Sequence, residues 1–179
     1  EMKQYIDLAK KLGTPYIRVL GDGVTAPHAD IDAALVRELC IEAGAYAADS
    51  GVTLLLETNG YFADTIRLRQ LLREIGMPSV QALWDVHHPY RFLDEPPEQT
   101  LENLGDHIRH VHLKDSLFQD GKVRYRMLGQ GDIPARRCVE LLDAAGYDGF
   151  YSLEWVRRWD LSLEEPGIAF AHFAAAFGR

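Results

Sequence analysis

Apolar residues fall along this chain in two alternating kinds of run. Dense blocks of five or six residues stand at 16–20, 52–57, 80–85, 108–113 and 150–155, the length and richness expected of strands buried in a parallel sheet. Between them, apolar residues recur every three or four positions, which predicts amphipathic helices. A helix over 1–12 carries Ile6, Leu8, Ala9 and Leu12 and stops at Gly13; a long one, capped by Asp30, presents Ile31, Leu35, Leu39, Ala43 and Tyr46 and ends before Gly51. Asp64 caps a third, with Leu68, Leu71, Leu72 and Ile75 on one side and Gly76 behind it. A short helix over 99–104 follows the loop 94–98, whose adjacent Pro96 and Pro97 break any ladder. Asp120-Gly121 marks a tight turn, and loop 128–134 opens a helix with Leu141, Leu142 and Ala145 on its buried side, ended by Gly146. Pro166 and Gly167 introduce a last helix carrying Ile168, Phe170 and Phe173.

Strand and helix thus alternate throughout, which predicts one α/β layer system on a parallel sheet. Five strands are visible, whereas a closed (β/α)8 TIM barrel needs eight. The chain opens on Glu1 inside a helix. The expectation is therefore a single domain over 1–179 holding the last five βα units of such a barrel, its N-terminal units missing. An open five-stranded sheet complete in itself is the alternative.

Composition narrows the function classes. A formal charge of −8 argues against nucleic acid as a partner, because phosphate binding draws on clustered Lys and Arg. Cys40 and Cys138 stand alone, so neither a disulfide framework nor a zinc knuckle is expected, and a reducing cytoplasm fits. No apolar run is long enough to span a membrane, and a homo-oligomer stays open.

Four of the strand blocks end in a residue able to bind a cation: Glu57, Asp85, His112 and Glu154. In a parallel array those ends share one edge, so the four could hold one divalent ion, and an oxygen-rich set with one imidazole favours Mg²⁺, Mn²⁺ or a similar ion. Taken singly, each is more often a helix cap or a solvated charge. His88, three residues after Asp85, is a candidate second ligand or a donor to a substrate oxygen from the following loop. His87 reads as a packed or exposed loop histidine, and His110, deeper in its strand, as a core histidine. Lys114 shares the face of His112 and is either a partner for an enolate or phosphate or a surface residue. Asp115 caps or orients a neighbour.

The stretches Leu56-Glu57-Thr58-Asn59-Gly60, Trp84-Asp85-Val86-His87-His88, Ile108 through Asp115, Leu128-Gly129-Gln130-Gly131-Asp132 and Leu153-Glu154-Trp155, in that order and spacing, resemble the motifs of the sugar phosphate isomerase/epimerase superfamily, the xylose isomerase-like TIM barrels. The resemblance spans nearly the whole chain. It implies that Glu57, Asp85, His112 and Glu154 bind one divalent metal, Mn²⁺ first and Mg²⁺, Co²⁺ or Zn²⁺ as alternatives, and that Glu57 and Glu154 also move protons. It further implies that Trp155, Arg157 and Arg158 lie near the substrate. The DNA repair branch, endonuclease IV, carries an additional D-x-H motif; here that region reads Lys122-Val123-Arg124-Tyr125.

These readings converge on a metal-dependent isomerase or epimerase of a sugar, sugar phosphate or polyol, working through an enediolate. His88 and Arg157 or Arg158 would hold substrate oxygens, with Lys114 beside them, and Trp84 or Trp155 would offer a ring face to the sugar. The rivals are an inosose dehydratase-like lyase on the same scaffold and a non-catalytic barrel fragment.

Overall fold

The computed structural model describes residues 1–28 and 31–177. Five strands form one parallel sheet: β1 (Tyr16–Val19), β2 (Thr53–Glu57), β3 (Val80–Asp85), β4 (Ile108–Leu113) and, last in sequence, β7 (Phe150–Leu153), in that spatial order. Helices connect them: α1 (Met2–Leu12) leads into β1, α2 (Ala33–Ser50) and α3 (Thr65–Ile75) follow β1 and β2, α4 (His87–Leu93) and α5 (Pro97–Leu104) follow β3, α6 (Ala135–Ala144) precedes β7 and α7 (Pro166–Phe177) comes last. Between β4 and α6 an antiparallel hairpin, β5 (Asp115–Gln119) and β6 (Lys122–Arg126), stands apart from the sheet. Its turn needs two left-handed residues, and Asp120 (φ 53°) with Gly121 (φ 72°) supplies them.

The strands alternate cleanly between two faces. Leu54, Leu56, Ala82, Trp84, Val111 and Leu113 pack outward into the core beneath the helices. Leu55, Glu57, Leu83, Asp85, His110 and His112 therefore point to the other side, the inside of the curved sheet. Trp84 belongs to the outward set and is 1 % exposed, so it cannot offer its ring to a ligand on the inner face.

Several helix faces differ from the periodic expectation. The Asp30 cap falls outside the described residues; Asp32 caps α2, its carboxylate accepting from Leu35 N at 2.9 Å. The buried side of α2 is Cys40, Ala43, Gly44 and Ala47, while Leu35 and Leu39 are exposed. Small residues win because the helix lies close on the sheet: a Cβ at Gly44 would collide with the Val80 side chain, and Ser79 Oγ donates to Gly44 O at 2.8 Å. In α1, Ile6 and Ala9 are buried and Leu8 and Leu12 are not; Ala145 lies beyond α6 and is exposed; in α7, Phe173 packs on the core while Ile168 and Phe170 face outward. His87 and His88 open α4 rather than sitting in a loop.

Candidate metal and substrate site

Strand register decides which residues meet. Arg18 pairs with Leu55 and Glu57 with Leu83, Asp85 is level with His112, and His112 is level with Ser152. From Arg18 to Glu57, Glu57 to Asp85 and His112 to Glu154, each site residue thus stands two positions further along its strand than the partner of the previous one. A two-residue step preserves the face, so the stagger that curls the sheet keeps every one of these side chains inside. The single level step, Asp85 to His112, follows a register shift at Ala82 and Leu83.

The outcome is a cluster in which Glu57, Asp85, His112 and Glu154 each bring one ligand atom within 4.8 Å of the others. Glu57 is fully buried; its Oε1 accepts from His112 Nδ1 at 2.9 Å and its Oε2 from Arg18 Nε at 2.9 Å. Burial alone would raise the Glu57 carboxyl, but the bonds from His112 and Arg18 prevail over it and over the neighbouring Asp85, holding it below the ordinary carboxylate range. Because a carboxylate only accepts, His112 Nδ1 carries the hydrogen of that bond, and Nε2 is the ring nitrogen left for another partner. Asp85 is also fully buried. Its Oδ1 accepts from His87 N at 2.8 Å, and its Oδ2 lies 2.8 Å from Lys114 Nζ. Burial opposes its charge, yet His88, Lys114 and His87 around it hold its carboxyl well below the usual range.

Lys114 is 5 % exposed and spans the site, reaching Asp85, Glu154 and, at 3.0 Å, His88 Nε2. His88 Nδ1 donates to Thr58 O at 2.9 Å, so Nε2 is the acceptor from the ammonium. Burial would lower the Lys114 pKa; the Asp85 and Glu154 carboxylates raise it instead. Glu154 is less enclosed, with its side chain 21 % exposed, one oxygen paired with Lys114 and the other 3.4 Å from Arg18 Nη2. Above the cluster opens a cavity of about 460 Å³ whose wall includes Arg18, Asn59, His88, Lys114, Tyr125 and Glu154.

The flanking residues have structural work. His87 is buried against Phe92 and Tyr125, its Nε2 2.9 Å from Ser116 Oγ, and burial pushes its pKa down to about 3. His110 Nε2 lies 2.8 Å from Ser152 Oγ, one layer below His112. Asp115 accepts from the backbone of Ser116, Gly129, Gly131 and Ile133 and so fixes the loop behind the hairpin. Trp155, Arg157 and Arg158 are not among the residues lining the cavity. Trp155 Nε1 donates to Glu164 O at 2.9 Å, Arg157 pairs with Glu165, and Arg158 lies over the Trp159 ring. From the same stretch Val156, Trp159 and Asp160 line the cavity instead. Arg18, Asn59, Tyr125 and Trp159 were not singled out from the sequence; of these only Arg18, a lone cation inside an apolar strand block, carried a readable signal.

Fold and donor set together define a parallel βα barrel type with a candidate cation site at the carboxyl edge of its strands. Residues 1–172 match the xylose isomerase-like TIM barrel family, and the chain belongs to it. It is similar to fructoselysine 3-epimerase from Shigella flexneri, 28 % identical over 175 residues that cover 93 % of this chain and 60 % of the relative. Inosose dehydratase from Geobacillus thermodenitrificans (strain NG80-2) is 30 % identical over 120 residues, 59 % of this chain and 38 % of that protein. Among solved structures, D-psicose 3-epimerase with D-tagatose from Clostridium cellulolyticum H10 superposes with a TM-score of 0.77 at 17 % identity, over 99 % of this chain and 68 % of that one. The chain spans about 60 % of the length of the fructoselysine epimerase it matches.

Proposed function

We propose that this chain carries the metal and proton-transfer centre of a sugar isomerase or epimerase. The observation that supports this most is the convergence of two glutamates, an aspartate and an imidazole from four neighbouring strands. Three carboxylates and one nitrogen form a hard donor set suited to Mn²⁺, with Mg²⁺, Co²⁺ or Zn²⁺ as alternatives. Glu57, Asp85, His112 and Glu154 would hold the ion, which when bound supplies Lewis acidity toward a carbonyl and its neighbouring hydroxyl, acidifying the C–H between them.

The chain's own residues do the rest. Glu57, kept deprotonated by His112 and Arg18, and Glu154, more open to the cavity, take and return the proton of a substrate carbon. Return to the opposite face of the same carbon inverts it; return to the adjacent carbon moves the carbonyl. Lys114 stands where it can steady negative charge on the substrate, and His88, held by Thr58 O, fixes the direction of that ammonium. The substrate is a small polyhydroxy ketone or aldehyde. Glu154→Gln is expected to fold as the parent does and to lose Mn²⁺-dependent exchange of a ketohexose α-proton with D₂O, followed by NMR. Exchange at the parental rate in that variant removes Glu154 from the chemistry.

The similarity to inosose dehydratase supports a second reading, a lyase that forms the same enolate and expels a β-hydroxyl. Product analysis with a 2-keto-inositol separates the two, since only the lyase releases water.

A further inference from the structure

Asn59 follows Glu57 by two residues, at the N-terminus of the 3-10 turn Gly60–Ala63. An asparagine there ordinarily caps the turn with its side chain, but Asn59 makes no such bond. Its Oδ1 is buried and has no hydrogen-bond partner among the described residues, although the residue as a whole is only 8 % exposed. The backbone leaves it little freedom to find one. Asn59 N donates to Glu57 O at 2.8 Å, Asn59 O accepts from Phe62 N at 3.0 Å, and Gly60 N donates to Thr25 O at 3.1 Å. Gly60 is itself clamped, at φ 55°, where a Cβ would meet Asp22 and the carbonyl of Val24. A rigid, buried and unsatisfied amide carbonyl is costly. Asn59 is one of the residues lining the cavity shared with His88, Lys114 and Glu154.

Resting on the isomerase reading above, we infer that Asn59 is a specificity-determining residue whose amide hydrogen-bonds a hydroxyl of the polyhydroxy substrate next to the proton-transfer centre. A site that holds an amide for a hydroxyl rejects the analogue lacking it, because the amide is then sealed in unpaired. Among the described residues the Asn59 side chain makes no cap bond and its Oδ1 has no partner, so its stability signature is the reverse of a structural asparagine's.

Two measurements test this. With Mn²⁺ present, calorimetric titration of D-fructose and its 1-, 4- and 6-deoxy analogues should show the parent binding one analogue about 10-fold or more weakly than D-fructose. Asn59→Ala should bind D-fructose weakly, no longer distinguish that pair, and regain part of the discrimination as Asn59→Ser. In thermal unfolding without ligand, Asn59→Leu should melt at or above the parental temperature. Unchanged discrimination in Asn59→Ala, or a melting temperature for Asn59→Leu lowered by more than about 5 °C, overturns the inference while the isomerase reading stands. If the parent binds none of these sugars with Mn²⁺, the isomerase reading fails and the inference with it.

Discussion

Asp115 offers the sharpest test of how the site is held, because one carboxylate organises a whole loop. Its Oδ1 accepts from Ser116 N at 2.8 Å and Ile133 N at 3.1 Å, and its Oδ2 from Gly129 N at 2.8 Å and Gly131 N at 2.9 Å, while Asp115 itself is 2 % exposed. Asp115→Asn keeps the shape and one acceptor but turns an NH₂ toward two backbone donors. Two charge-assisted bonds are lost, each worth about 1.5–3 kcal/mol, and water recovers part of that because Gly129 is exposed and Gly131 half-buried. The expected destabilisation is about 2–4 kcal/mol, or roughly 5–12 °C in Tm for a chain of this size. Urea unfolding followed by circular dichroism measures it, and hydrogen exchange should show the amides of Gly129 and Gly131 losing protection first. Lys114 and the hairpin that carries Tyr125 hang on the same residue, so the cavity wall should loosen with the loop. A change below about 0.5 kcal/mol, within the range of ordinary surface substitutions, would refute the claim that this carboxylate builds the loop.

Two other outcomes follow from the same geometry. The depressed pKa of His87, about 3, means that below its unfolded value near 6.5 the unfolded chain binds a proton that the folded chain refuses. Stability from this residue is complete above that value and is lost as pH falls toward about 3, at up to about 1.4 kcal/mol per pH unit. His87→Gln should flatten that slope in urea titrations at pH 7, 6 and 5, leaving the contribution of His88, which shifts the same way; equal slopes in both proteins would contradict it. For the candidate cation site, MnCl₂ at about 100 times its Kd should stabilise the parent by about 2.7 kcal/mol, and Asp85→Asn should erase the gain. A melting temperature indifferent to MnCl₂ in the parent would count against the donor set.

Much of this was legible in the linear order. Each of the five strand blocks is a strand, and Glu57, Asp85, His112 and Glu154 do stand at or just past strand ends, because alternation and apolar density survive in a buried parallel sheet. What was hidden depended on distance. The periodic stripe of α2 pointed to Leu35 and Leu39, but the close approach of helix to sheet at Gly44 and Val80 selected the small residues one face over. The segment His87–Leu93 has Pro89 near its start and looked like a loop, and the hairpin 115–126 alternates without an apolar face, so only its turn could be read. Arg18 lies 39 residues from Glu57, and Lys114 lies 40 from Glu154. Only the strand register reveals those pairings.

That register also explains how three carboxylates can be packed so closely. Two of them are wholly buried, and an unpaired buried charge is too costly to persist. Arg18 from β1 and Lys114 from just beyond β4 enter from either side and meet Glu57, Asp85 and Glu154. One formal negative charge is left over, spread across the inner face. A dication placed among the carboxylates would turn that excess into a single positive charge, which would suit the negative charge that the proposed reaction develops on its substrate. A one-residue slip of any strand would turn its site residue out among the helices. The two-residue stagger that curls the sheet, with the shift at Ala82 and Leu83 bringing Asp85 level with His112, is therefore also what assembles the charge balance on which the proposed chemistry depends.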